Sequence, residues 1–99
     1  MVVRSWLVAC TVALLLAGCG GGEITKVMTV EERFAHAKAL FDKGDELDAI
    51  NEFTVITLQY QGSAFAADAQ YYLGECRFQR DEYLLAAFEY SVVKRNYPA

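Results

Sequence analysis

From Val30 onward the apolar positions recur at helical spacing. Phe34, Ala37, Leu40 and Phe41 lie three and four residues apart between Thr29 and Gly44, so they form one stripe of a helix. Thr29 followed by Glu32 makes a capping box, in which the hydroxyl and the carboxylate each satisfy a backbone N–H that the first turn leaves orphaned. Gly44 accepts a left-handed backbone and ends the element, which predicts a first helix over 30–43. Asp45 is placed to cap a second helix over 46–59, with Leu47, Ala49, Ile50, Phe53, Ile56 and the following Tyr60 on its apolar face. Gln61-Gly62-Ser63 breaks the pattern, and Ser63 is placed to cap a third helix that carries Ala66, Ala69, Tyr72, Leu73 and Cys76 on one side and ends near Arg80. A fourth helix is predicted over 82–96, stopping before Pro98. Short breaks between consecutive helices make antiparallel neighbours, so the expected class is all-α, with two helical hairpins at about 30–60 and 63–97.

The first 29 residues follow a different pattern. Met1 to Arg4 carries one positive charge, and Trp6 to Leu16 is apolar apart from Thr11. This run is shorter than the ~20 residues that span a bilayer, and small residues close it in place of a basic flank. The shape is that of a secretory signal over residues 1–18. Leu16-Ala17-Gly18-Cys19 resembles a bacterial lipobox, which implies cleavage between Gly18 and Cys19 and a lipid on the Cys19 thiol. A thiol is a good nucleophile for a diacylglyceryl donor, and two or three acyl chains give stable attachment. Gly20 stands where an Asp would retain an enterobacterial lipoprotein at the inner membrane, so the expected location is the periplasmic face of the outer membrane. Gly20-Gly21-Gly22 then opens a flexible tether over residues 19–29.

Composition narrows the chemistry. With 9 Lys+Arg against 13 Asp+Glu and a net charge of −4 over 99 residues, nucleic acid is not an expected partner. Cys10 leaves with the signal and Cys19 is acylated, so Cys76 is alone and no disulfide is expected. Its apolar helical setting beside Leu73 makes it a small packing residue. His36 is the only histidine and reads as a surface residue, and no metal site is expected. Ser63 has no second histidine to activate it, and Asp42, Asp45, Glu46 and Asp48 cluster at a helix turn where solvated charge is ordinary. No catalytic constellation, enzyme activity or cofactor is expected beyond the covalent lipid.

Sliding the chain by 37 residues aligns Phe41 with Phe78, Leu47 with Leu84, Ala49 with Ala86, Glu52 with Glu89, Val55 with Val92 and Tyr60 with Tyr97. Phe34/Tyr71, Ala37/Gly74, Phe53/Tyr90 and Ile56/Val93 are conservative pairs in the same register. Leu73-Gly74, Tyr83, Ala86, Tyr90, Val93 and Pro98 resemble the signature of the tetratricopeptide repeat, and Ala37, Gly44, Ala49, Phe53 and Ile56 echo it. Small residues at Ala37 or Gly74 and at Ala49 or Ala86 let paired helices approach closely. The period exceeds the usual ~34 residues, which fits a longer connection around Gln61-Gly62-Ser63.

A lipobox followed by Phe41-Asp42-Lys43-Gly44-Asp45, by the run from Gly62 to Gln70 and by the run from Tyr83 to Tyr90 is similar to the BamD family of outer-membrane assembly lipoproteins. The resemblance implies a non-enzymatic periplasmic adaptor of the β-barrel assembly machinery. Its implied partners are the barrel core subunit of that machinery and unfolded outer-membrane proteins. Members of the family continue through further repeats, whereas this sequence stops at Tyr97-Pro98-Ala99, so a longer protein is expected. The alternatives are a cell-division or cell-wall-associated repeat scaffold, or the helical N-terminal part of a periplasmic cell-wall lytic enzyme.

In repeats of this type the first helix of each pair lines the concave face. That places Phe34, Lys38, Phe41 and Asp42 beside Tyr71, Glu75, Phe78 and Gln79 as candidate partner-binding residues. Aromatics there would supply area and charges would supply register for an extended peptide. The other reading of Phe41 and Phe78 is packing between helices.

Overall fold

The computed structural model describes residues 27–99, and all the regular structure within them is helical. Helix α1 spans Val30–Asp42, α2 Glu46–Gln59, α3 Ala66–Gln79 and α4 Tyr83–Asn96. Each helix packs on the next one in sequence. Among the described residues no helix is long and apolar enough to cross a membrane. The expected signal segment, the Gly18–Cys19 site and the glycine tether as far as residue 26 lie outside the described residues.

The backbone repeats at the offset read from the sequence. Helices α2 and α4 have boundaries 37 residues apart at both ends, Glu46 to Tyr83 and Gln59 to Asn96. The two hairpin turns are built alike. After α1, the Gly44 N–H donates to the Phe41 carbonyl and the Asp45 N–H to the Leu40 carbonyl, with Gly44 at φ +84°. After α3, the Asp81 N–H donates to Phe78 and the Glu82 N–H to Arg77, with Asp81 at φ +61°. Both are Schellman turns, which satisfy the last carbonyls of the helix through one left-handed residue. Glycine takes that conformation freely, and aspartate is among the side chains that tolerate it. The Tyr83 hydroxyl donates to the Asp81 carboxylate at 2.9 Å and ties the second turn to α4.

A polar bridge also repeats. Arg33 Nη1 lies 2.7 Å from the Glu52 carboxylate, joining α1 to α2, and Gln70 Nε2 lies 2.6 Å from the Glu89 carboxylate, joining α3 to α4. Both members of the second bridge are shifted 37 residues from the first.

Several sequence expectations are corrected at the helix ends. Helix α1 stops at Asp42, because Lys43 already belongs to the Schellman turn. Only the Thr29 half of the capping box forms among the described residues: the Glu32 N–H donates to the Thr29 hydroxyl at 3.1 Å. Asp45 makes no side-chain cap, since its backbone is committed to closing the turn. The Ser63 hydroxyl accepts from the Phe65 N–H at 3.2 Å, two residues on, so it stabilises the turn before α3 and the helix starts at Ala66. Helix α3 ends at Gln79, and α4 starts at Tyr83 with Glu82 outside it. The Glu82 carboxylate is held by Arg80 at 2.7 Å, which lowers its affinity for a proton.

The core is small and continuous. Ala37, Ala49, Ile50, Phe53, Ile56, Ala69, Leu73 and Cys76 form one buried cluster. Ala86 on α4 is buried, as the repeat register expects. Leu47, expected on the apolar face, is 57% exposed. Phe53 is fully buried at the centre, where it contacts α1 through Phe34 and α3 through Tyr72.

Candidate partner-binding surface

Side chains of α1 and α3 meet along one side of the molecule, and Tyr72 is at the centre of that meeting. Its ring stacks on Phe53 with centroids 5.4 Å apart and an interplanar angle of 10°. Phe41 and Phe34 meet it edge-on, at 5.2 and 6.1 Å. These are favourable aromatic geometries, each worth about 0.5–1.5 kcal/mol beyond the area they bury. Lys38 Nζ sits 5.0 Å from the Tyr72 ring centroid and 5.6 Å from that of Phe41. The Asp42 carboxylate bonds the same ammonium at 3.0 Å, and that bond raises the Lys38 pKa above its ordinary value. Thus Phe34, Lys38, Phe41 and Asp42 do come together, around a ring the sequence had placed in the core.

The α3 candidates fall into two groups. Tyr71 lies 5.9 Å from Tyr90 on α4, and the Tyr90 hydroxyl donates to the Glu75 carboxylate at 2.6 Å. Burial and then this bond push the Tyr90 pKa strongly upward, while Glu75 raises that of Tyr71 as an acceptor and as a nearby charge. Phe78 is apart from them, edge-on to Tyr83 at 5.3 Å and 54% exposed. Gln79 is exposed at the end of α3. Tyr71 and Tyr72 touch edge-on at 5.5 Å, which links the two hairpins' aromatic sets.

The packing alternative therefore holds for Phe41, which is half-buried against Tyr72, while Phe78 is 54% exposed and meets Tyr83 of α4 edge-on. Sequence reasoning missed Tyr72 and Tyr90 as members of this surface. It also missed an open groove of about 660 Å³ between α2 and α4, floored by Leu73 and Arg77 and walled by Thr54, Leu58, Phe88 and Val92. Helical spacing puts Leu73 and Arg77 on the side of α3 opposite Glu75 and Gln79, so the groove is separate from the aromatic surface.

Chemically the aromatic surface can hold and orient, through ring faces, one ammonium and two carboxylates. Among the described residues no group of His, Cys, Asp and Glu side chains is arranged to hold a metal ion. Cys76 is buried, and burial pushes its thiol up to about 11 from 9.0. The folded chain retains this proton while the unfolded chain releases it above pH 9, so stability is full below pH 9 and falls as pH rises through 11. Chemical denaturation at pH 8 and 10.5 should show that fall, and Cys76→Ala should reduce it. Thiol reagents should modify Cys76 only at the rate of unfolding.

Comparison of the chain with protein-family models, with curated proteins and with solved structures gives no match.

Proposed function

We propose that the chain is the helical-repeat part of a lipid-anchored periplasmic adaptor, similar to the BamD family, that works in the β-barrel assembly machinery of the outer membrane. The observation that carries this reading is the repetition of an entire hairpin at 37 residues, in its α2 and α4 boundaries, its Schellman turns and its polar bridges. Gly74 faces the Tyr90 ring, and the equivalent Ala37 and Phe53 share the buried cluster of the first hairpin, which fits the packing logic of tetratricopeptide repeats. Stacked hairpins present long surfaces to other polypeptides, and such arrays serve binding. A lipid on Cys19 would keep that surface at the membrane where barrel proteins arrive. Partners under this reading are the barrel core subunit and unfolded outer-membrane proteins.

Affinity isolation from detergent-solubilised membranes tests it. The natural full-length protein should sediment with the outer membrane, carry acyl chains on Cys19 by mass spectrometry and bring down the barrel core subunit. Cys19→Ser should leave an unacylated precursor of higher mass that no longer recovers the machinery. Recovery of cell-division or peptidoglycan proteins in its place would move the assignment to a wall-associated scaffold, and a wild-type mature N-terminus without lipid would refute the anchor.

A further inference from the structure

Helix α4 turns an apolar side to solvent that a further hairpin does not cover. Leu84 is 89%, Leu85 46% and Phe88 56% exposed. At the offset of 37 residues they correspond to Leu47, Asp48 and Asn51 of α2, and all three of those stay exposed although α3 and α4 follow them. The inward side of α2 holds Ala49, Ile50, Phe53 and Ile56, whose counterparts on α4 are Ala86, Ala87, Tyr90 and Val93. A hairpin stacked on the second as the second stacks on the first takes that inward side and leaves Leu84, Leu85 and Phe88 in water. The feature is also particular to α4, because Leu85 and Phe88 stand where α2 has polar Asp48 and Asn51. Across the groove between the two helices, Leu58 of α2, 69% exposed, extends the apolar surface.

Charge on α4 differs from charge on the rest of the stack. Leu84, Phe88 and Arg95 follow one another at four and seven residues, so they share one stripe, and no carboxylate lies on it. Glu89 is the one acid of α4, and it is turned to buried Gln70 at 2.6 Å. Just before the helix, Asp81 accepts from the Tyr83 hydroxyl and Glu82 is held by Arg80. Lys94 and Arg95 close α4 with two cations, whereas α2 carries Glu46, Asp48 and Glu52 and no cation.

We propose that the outward side of α4 rests on a lipid surface, with Leu84, Leu85 and Phe88 at the boundary of headgroups and acyl chains and Arg95 against anionic headgroups. An apolar stripe that ends in cations is the pattern of a helix lying in a membrane interface. The stripe also has no polar group free to fix the register of a protein partner, since the Ser91 hydroxyl is spent on the Phe88 carbonyl at 2.6 Å, and fluid lipid requires no register. The inference rests on the adaptor reading only for the acyl anchor on Cys19, which holds the chain at the bilayer so that a shallow contact suffices.

Two reporters in the full chain test it, Phe88→Trp and Leu84→Trp, each read as a difference from the parent, whose one tryptophan is Trp6. In vesicles of equimolar phosphatidylglycerol and phosphatidylcholine with brominated acyl chains, both should emit at shorter wavelength and be quenched. Ala35→Trp, on exposed α1 at the other end of the stack, should emit as in water and stay unquenched. Arg95→Glu in the Phe88→Trp protein should shift the equilibrium away from these vesicles on the order of fivefold or more, and leave it unchanged in vesicles of phosphatidylcholine alone. Unquenched emission from positions 84 and 88, or equal quenching at 35 and 88, would overturn the contact. So would a blue shift at position 88 that requires added membrane proteins and is absent from pure lipid, because the occupant would then be a protein. Mass spectrometry of the same samples separates the two readings: quenching at position 88 without a lipid on Cys19 defeats the anchor alone, and a lipid on Cys19 without quenching defeats the contact alone.

Discussion

Phe53→Ala is expected to abolish the folded state of the helical region. Phe53 is fully buried, meets Phe34 at 5.8 Å and Tyr72 at 5.4 Å, and joins α1, α2 and α3 through those contacts. Truncating a buried phenylalanine costs about 3–5 kcal/mol, because the apolar transfer is lost and the cavity refills only in part. A single core in a domain of this size supplies roughly 3–5 kcal/mol in total, so the loss equals the whole margin. Circular dichroism at 25 °C should show helix content falling to that of the unfolded chain. Leu58→Ala, at a site 69% exposed on the same helix, should stay within about 0.5 kcal/mol of the parent in chemical denaturation. Similar effects for both would mean that α2 is packed in another register.

Gly74→Ala is expected to destabilise although alanine is the better helix former by about 1 kcal/mol. A Cβ at Gly74 would meet the Tyr90 ring at Cδ1, Cε1 and Cζ, with Cζ at 2.9 Å. The ring is tethered, because its hydroxyl donates to Glu75 at 2.6 Å. In the first hairpin the same positions hold Ala37 and Phe53, both in the buried cluster, and that ring has no hydroxyl to fix it. Overpacking costs about 1–3 kcal/mol against a propensity gain of about 1 kcal/mol, for a net loss of up to about 2 kcal/mol. The two sites are in contact, so their effects should not add. In a Tyr90→Leu background Gly74→Ala should be neutral or stabilising, and a penalty that persists there would show that Tyr90 is not the obstacle.

The sequence pattern was sufficient for α2, whose predicted span matches the observed Glu46–Gln59, because an apolar stripe runs its length between a left-handed Gly44 and the Gln61-Gly62 break. Periodicity was less informative at its margins. Leu47 lies on the flank of the Ala49–Ile56 stripe, and only the position of α3 decides that it faces solvent. The Thr29 cap was legible with its partner, the Glu32 N–H, whereas Ser63 bonds the Phe65 N–H in the turn and the helix starts only at Ala66. The candidate surface was legible on α1, where Lys38, Phe41 and Asp42 interact within one helix at i, i+3 and i+4 spacing. It was not legible on α3. Tyr71 and Tyr72 are neighbours in sequence but point about 100° apart, so Tyr72 stacks on Phe53 of the first hairpin and Tyr71 meets Tyr90 of the second. Helical spacing alone does not say which.

The most direct test of the adaptor assignment is photo-crosslinking in cells that carry the full-length protein with a photoreactive residue at position 71 or, as control, at position 48. Under this account position 71 crosslinks the barrel core subunit or unfolded outer-membrane proteins, identified by mass spectrometry, and position 48 does not. Crosslinks from position 71 to cell-division or peptidoglycan proteins, or the same products from both positions, would contradict it.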